Sequence, residues 1–156
     1  MYHNQTDGLD IMTERAGYFV PKDRALVEDT PRGPHAWLSS PAATASEHAM
    51  MVRVEMPVGR AHPFHYHPAM EEILYVLAGD CEQWIEDQCQ RIGPGDVAHI
   101  PKGMVHGTYN VGNEPMVFLA VLSPAVFEGP ATIDCCREQP WCDLKTPIED
   151  AVMEGE

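Results

Sequence analysis

Short apolar segments, separated by prolines and glycines, follow one another along most of the chain. Residues 50–56, "MMVRVEM", place apolar side chains at every second position, which is typical of a strand with one buried face. Residues 73–78, "ILYVLA", are apolar on both faces, which predicts a central strand or one whose outer face is covered. Further strands are predicted at 81–85, 90–92, 97–101 and 117–122. Because helix signals are weak throughout, we predict an all-β sandwich or barrel of about eight strands.

The two ends of the chain differ from its middle. Residues 1–45 are predicted to form an N-terminal extension with short strands, for which "GYFV" and "AWL" are the best candidates. Residues 46–123 carry the regular alternation and are predicted to form the barrel. Residues 124–156 are irregular and are predicted to be a C-terminal extension that ends in an acidic tail. A chain of 156 residues is about the size of one domain.

Composition excludes some classes of partner. The net charge of −14 argues against nucleic acid and against an anionic membrane surface, since both attract basic proteins. The longest apolar run, residues 116–122, is far shorter than the roughly 20 residues that span a bilayer. The N-terminus shows no signal-peptide pattern.

Five cysteines with irregular spacing favour reduced thiols and a cytoplasmic location. The three cysteines in "CCREQPWC", residues 135–142, could be zinc ligands, but their spacing matches no paired CxxC pattern. Structural or incidental cysteines are therefore the favoured interpretation.

Three histidines and a glutamate have spacings that suit a metal site. His65 and His67 would project from the same face of a strand, roughly 7 Å apart along the chain. Glu72 has the opposite parity, but a turn or bulge at residues 68–69 would bring it to the same face. His106 follows the turn "PKGMVH". Three imidazoles and one carboxylate suit Fe, Mn, Ni, Co, Cu or Zn, and they leave coordination positions open for a substrate. The alternative is a crowded surface loop beside a core strand.

These residues belong to two longer motifs. The pattern G-x5-H-x-H-x4-E-x6-G is matched by Gly59, His65, His67, Glu72 and Gly79. The pattern G-x5-P-x-G-x2-H-x3-N is matched by Gly95, Pro101, Gly103, His106 and Asn110. The chain thus resembles the cupin superfamily, in particular its compact microbial members. The resemblance implies a double-stranded β-helix, or jelly roll, with one divalent transition metal per chain held inside the barrel by the three histidines and the glutamate.

Strand parity extends this prediction to neighbouring side chains. If Glu72 faces inward, then Leu74, Val76 and Ala78 do so too, and the residues between them, Ile73, Tyr75 and Leu77, face outward. These three are too apolar for open water, so a second sheet, the N-terminal extension or a second subunit should cover them. The resemblance implies a homodimer.

Three residues outside the ligand set are candidates for catalytic roles. Gln83 shares a face with Cys81 and Ile85, which the resemblance places inside the barrel, where Gln83 could hydrogen-bond a ligand. His99 is expected to be a barrel histidine that could support a metal ligand or transfer a proton. Arg53 could bind a substrate carboxylate in bidentate fashion, although a surface arginine is the simpler interpretation. His62, also outside the motifs, is expected at the barrel mouth or in solvent.

The main hypothesis is a metal-dependent cupin that acts on a small oxygenated molecule, such as a sugar acid, a diol or a carboxylate, as a dioxygenase, isomerase or lyase. The alternative is a binding or sensory module in which the metal anchors a ligand without turnover. A third interpretation is a jelly roll whose metal only braces the barrel. The residues alone do not choose among the reactions, because one fold hosts many chemistries.

Overall fold

A computed structural model describes residues 17–148. Within this range the chain forms eleven strands, two four-residue helices and one 3-10 turn, Lys22–Arg24. The strands and helices in chain order are β1 Leu26–Thr30, β2 Gly33–Ser39, α1 Pro41–Thr44, β3 Met50–Met56, β4 Ala61–Tyr66, β5 Glu71–Ala78, β6 Cys81–Ile85, β7 Gln88–Ile92, β8 Val97–Ile100, β9 His106–Tyr109, β10 Met116–Ser123, β11 Ile133–Asp134 and α2 Trp141–Leu144.

The strands form two antiparallel sheets that face each other. The six-stranded sheet has the order β1-β2-β3-β10-β5-β8, and the five-stranded sheet has the order β11-β4-β9-β6-β7. Strands that are distant in sequence are neighbours in each sheet, as β3 and β10 show. This arrangement is a jelly roll, and it confirms the predicted all-β class and double-stranded β-helix.

Alternation along two central strands builds the core between the sheets. On β3 the buried positions run from Met50 to Met56 in steps of two, as the sequence predicts. On the neighbouring β10 they run in the same way from Met116 to Leu122. Because both sets face the five-stranded sheet, a single apolar layer fills the space between the sheets.

The predicted parity of β5 is confirmed over most of its length. Glu72, Leu74 and Val76 are buried, whereas Ala78, at the end of the strand, is exposed. The outward side chains of Ile73, Tyr75 and Leu77 are 42%, 41% and 42% exposed. The described part of the chain therefore leaves this apolar face largely open.

The N-terminal strands join the six-stranded sheet. The segment "AWL" lies in β2, where Trp37 pairs with Val52 of β3. Residues 17–20, "GYFV", form no strand. Residues 1–16 and the acidic tail, 149–156, lie outside the described range.

The segment after β10 packs on the outer face of the five-stranded sheet. There Cys135, Cys136 and Trp141 surround Phe64 and Tyr109 in a second apolar cluster. Burial raises the pKa of each of these two cysteine thiols to about 12, which keeps them protonated. They are core residues, as the favoured interpretation held.

Neither helix within residues 17–148 is long and apolar enough to cross a lipid bilayer.

Candidate metal centre

The four predicted ligands meet between the two sheets. His65 on β4 pairs directly with His106 on β9, and His67 follows β4 by one residue. Glu72 comes from β5 in the opposite sheet, after a turn at residues 67–70 that resets the parity as predicted. All four side chains are buried, and one ligand atom from each lies within 4.8 Å of those of the others.

Backbone carbonyls hold the three imidazoles in one tautomer. The Nδ1 atoms of His65, His67 and His106 lie 2.6, 2.9 and 3.0 Å from the carbonyl oxygens of Pro63, Ala131 and Met104. Since a carbonyl oxygen can only accept, each Nδ1 carries the proton. Each Nε2 therefore has a lone pair available for a metal, and such supporting contacts typically orient histidine ligands.

Glu72 is the negative centre of the cluster. Its Oε2 atom lies 3.1 Å from Nε2 of His67 and 3.0 Å from Nε2 of His106. Burial would raise the pKa of this carboxyl, but the hydrogen bonds from the two histidines hold it well below its usual value. Burial would lower the pKa of His67, yet the hydrogen bond and charge of Glu72 raise it. Burial, together with the charges of its two neighbouring histidines, lowers the pKa of His65 well below normal.

This donor set fits a divalent transition metal. The Nδ1 proton of each imidazole is already donated to a backbone carbonyl. An Nε2 atom can therefore lie within hydrogen-bond distance of the Glu72 carboxylate only if Nε2 carries a proton as well. A cation in place of those protons satisfies three lone pairs and one carboxylate at once. Ligand atoms about 2.1 Å from one ion are separated by about 3–4 Å, which is close to the spacing found here. The residues that would hold the metal are the three histidines and Glu72.

A cavity of about 170 Å³ opens beside the cluster. His65, His67 and Glu72 line one part of it, and apolar side chains from the inner face of the six-stranded sheet form its walls. A cavity of this volume is smaller than the sites that bind drug-sized molecules. It suits a ligand with only a few carbon atoms.

The structure does not bring the three predicted catalytic residues to this cavity. Gln83 is inside the barrel, as expected, but it is occupied: Thr108 Oγ1 donates to its Oε1 at 2.6 Å, and its Nε2 donates to the Trp84 carbonyl. Arg53 lies on the outer face of β3, 3.6 Å from Glu55. None of the three is among the described residues that line the cavity.

The expectation that His99 lies in the barrel interior is wrong. Ala98 and Ile100 occupy the inward positions of β8, so His99 points outward with an exposed side chain. There its Nε2 atom lies within hydrogen-bond distance of Glu71 Oε2, at 3.0 Å.

Sequence analysis placed His62 at the barrel mouth or in solvent, and it missed the cavity-lining residues of the N-terminal strands. The cavity is lined by His62 together with four residues of the first two strands and the turn between them: Glu28, Arg32, His35 and Trp37. The β4–β9 register shifts between His62 and His65, where two residues of β4, Pro63 and Phe64, face one residue of β9, Gly107. This one-residue bulge places His62 and His65 on the same inner face, although their numbers have opposite parity. In the sequence, such a bulge is indicated only by the three-residue spacing of His62 and His65 and by the proline that follows His62.

The family of the barrel follows from comparison with known proteins. Residues 52–122 match the family model described as the cupin domain. This region of the chain is a cupin domain. The matched residues run from β3 to β10 and contain all four candidate metal ligands, whereas the cavity-lining residues of β1, β2 and the turn between them lie outside the match.

Relatives of the cupin domain have different activities. The chain is 45% identical over 65 residues to dimethylsulfoniopropionate lyase DddQ of Ruegeria pomeroyi, and 33% identical over 79 residues to quercetin 2,3-dioxygenase of Bacillus subtilis. These alignments cover 41% and 51% of this chain, but only 32% and 23% of the relatives.

Crystal structures support the same fold. The DddQ structure superposes with a TM-score of 0.53 at 33% identity, covering 60% of this chain and 46% of that one. A predicted oxalate decarboxylase of Thermotoga maritima superposes with a TM-score of 0.58 at 26% identity, covering 67% of this chain and 97% of that one. The cupin domain is thus shared by proteins whose names describe a lyase, a dioxygenase and a decarboxylase.

Proposed function

We propose that this protein binds one divalent transition metal through His65, His67, Glu72 and His106, and acts on a small oxygenated molecule in the adjoining cavity. The observation that supports this most directly is the common orientation of the imidazoles. All three donate Nδ1–H to backbone carbonyls, so their Nε2 atoms converge near one buried carboxylate.

When bound, the metal would hold an oxygen of the substrate and stabilise negative charge that develops on it. The chain itself supplies the supporting conditions. Apolar walls such as Val52, Phe118 and Leu122 exclude water from one side of the cavity and strengthen electrostatic interactions there. A sugar acid, a diol or a carboxylate would suit the site, with oxygenation, isomerisation or elimination as the reaction.

Metal content tests the first part of this proposal. Purified protein should carry about one transition metal per chain by elemental analysis, and the His65→Ala/His67→Ala double variant should carry almost none. The double variant His48→Ala/His99→Ala removes two exposed histidines and is the matched control, with metal content like that of the wild type. Equal metal content in the two double variants would refute the assignment.

Turnover tests the second part. Protein loaded separately with Fe, Mn, Ni and Zn would be mixed with small sugar acids, hydroxy acids and diols, and products would be followed by NMR together with oxygen uptake. We expect one metal and substrate pair to give product. Consumption that does not depend on a bound metal would contradict the proposal.

A binding or sensory module is the second candidate. It is favoured by the absence of Gln83, His99 and Arg53 from the described cavity lining, because these were the predicted acid–base and substrate-binding groups. Saturable binding of a ligand to the metal-loaded protein, without change of that ligand, would support the module over the enzyme.

We also propose that the chain forms a homodimer and works in the cytoplasm. The open apolar face of β5, with Ile73, Tyr75 and Leu77, supports pairing, and five unpaired cysteines suit a reducing compartment. Sedimentation of the wild type and a Tyr75→Glu variant tests the dimer. A monomeric wild type would contradict it.

A further inference from the structure

A second polar position lies in the cavity, away from the metal ligands. His62 is on the inner face of β4 and lines the cavity, and its Nε2 atom is buried. Among the described residues this nitrogen has no hydrogen-bond partner. Because a buried polar atom without a partner is costly, such atoms usually have a ligand or water to bind.

The ring of His62 is held firmly in place. His35 of β2 stacks on it with ring centroids 5.1 Å apart and an interplanar angle of 5°, and Phe118 contacts it edge-on with centroids 5.7 Å apart. His35 is itself fixed, since its Nδ1 donates to the Gly33 carbonyl at 2.9 Å. The N-terminal strands thus orient a side chain of the cupin domain.

The register places His62 one step along the sheet from the metal ligands. His65 and His106 face each other in one row, and His62 and Thr108 face each other in the next. Successive inward rows of a sheet are about 7 Å apart. A ligand with about two to four carbon atoms is long enough to reach from an oxygen near the metal to a hydrogen bond at His62.

The local charge favours an anionic ligand. The guanidinium of Arg32 also lines the cavity and lies close enough to His62 to affect its ionisation. Two carboxylates of the cavity oppose this charge: Glu72, and Glu28, which accepts a hydrogen bond from Trp37 Nε1. With a divalent cation bound, the cation and Arg32 together still outweigh these two negative charges. A carboxylate therefore fits this end of the cavity better than an ammonium group does.

We infer that His62 is a positioning residue whose Nε2–H donates a hydrogen bond to the carboxylate of a small hydroxy acid or dicarboxylate bound at the metal centre. This inference rests on the proposed function, and it narrows the substrate class to carboxylates. It also gives the N-terminal strands a role, since His35 sets the orientation of the donor.

Ligand binding to the Zn-loaded protein tests the inference without any need for turnover. Lactate and 1,2-propanediol share a carbon skeleton, but only lactate has a carboxylate, and both would be titrated by calorimetry. We expect lactate to bind more tightly. His62→Phe keeps a ring for the contacts with His35 and Phe118, and it should weaken lactate binding about tenfold or more while leaving the zinc content unchanged.

Two further variants separate hydrogen bonding from packing. His62→Gln restores a donor near the Nε2 position and should bind lactate within about threefold of the wild type. His99→Gln removes an exposed histidine from the outer face and should not change the affinity. Lactate binding that is equally strong in the wild type and in His62→Phe would overturn the inference, as would 1,2-propanediol binding as tightly as lactate.

Histidine ring NMR distinguishes this inference from the proposed function. Lactate should shift the Nε2 resonance of His62 in the Zn-loaded protein and, at higher concentration, in the metal-free protein. A shift in the metal-free protein together with no metal uptake would overturn the proposed function, and with it the placement of the ligand at a metal, while the hydrogen bond from His62 would stand. Metal uptake and lactate binding without a shift at His62 would overturn the inference alone.

Discussion

The metal-free protein should lose stability steeply as the pH falls from 6.5 to 5. Burial lowers the pKa of His62 well below its usual value, and the positive charges of His35 and Arg32 lower it further. Burial and the charges of its histidine neighbours do the same for His65. In the unfolded chain both groups titrate near pH 6.5. Between the two pKa values the unfolded state therefore binds protons that the folded state does not, which favours unfolding.

The size of the effect follows from the number of such histidines. Each contributes a slope of about 1.4 kcal/mol per pH unit once its unfolded form is protonated, so His62 and His65 together give about 2.8 kcal/mol per pH unit. Burial also lowers the pKa of His35, which adds to the slope in the same direction. A typical domain is stable by only about 5–15 kcal/mol. His67 has a raised pKa, so its contribution is fully present below pH 6.5 and is lost only as the pH rises through its folded pKa. Glu72 has a lowered pKa, so its contribution is lost only below about pH 4.3.

Urea unfolding followed by circular dichroism, with EDTA present, measures this slope at pH 7, 6 and 5. In His62→Phe the slope should fall by about 1.4 kcal/mol per pH unit, because one buried titrating group has been removed. His99→Gln removes an exposed histidine and should keep the slope of the wild type. A slope in His62→Phe equal to that of the wild type would refute the reasoning.

Three other measurements test the fold and the metal centre. Gly79 has a φ of 68°, and an added Cβ would lie 2.5 Å from the Pro115 carbonyl oxygen. Gly79→Ala should therefore lower the unfolding free energy by about 2 kcal/mol or more. The control Gly129→Ala, at a residue with positive φ but open space around it, should lower the unfolding free energy by about 1 kcal/mol. Asn110 is buried, and its side chain makes three hydrogen bonds to backbone groups. Asn110→Ala should therefore lower the free energy of unfolding in urea by about 2–4 kcal/mol. Asn113 is exposed, so Asn113→Ala should change this free energy little. Free metal at a hundredfold excess over its Kd should stabilise the protein by about 2.7 kcal/mol, and an unchanged melting temperature on chelation would contradict a bound metal.

Local patterns were sufficient to predict the strands and the candidate ligands. Alternation over residues 50–56 predicts β3 with the bounds that the structure has, because period two follows directly from strand geometry. The spacing of His65, His67, Glu72 and His106 matches a motif in which turns and strands have fixed lengths. The structure brings these four residues together because β4 and β9 are neighbours in one sheet and β5 belongs to the sheet opposite.

Sequence analysis placed His99 inside the barrel and left His62 at the barrel mouth or in solvent, whereas the structure has His99 outside and His62 in the cavity lining. His99 points outward because the apolar residues on both sides of it take the core positions of β8. His62 points inward because a bulge adds one residue to β4, and a bulge has no period that a sequence displays.

The sequence by itself thus determined the all-β class, because alternation depends on spacings of a few residues along one strand, and its resemblance to the two cupin motifs supplied the candidate metal ligands. The cavity was decided only by the tertiary structure. Its walls come from both sheets, and His35 and Trp37 reach it because β2 pairs with β3 in the six-stranded sheet. Long-range pairing of this kind depends on how whole faces pack, and no local pattern in residues 26–39 indicates which side chains would meet a ligand.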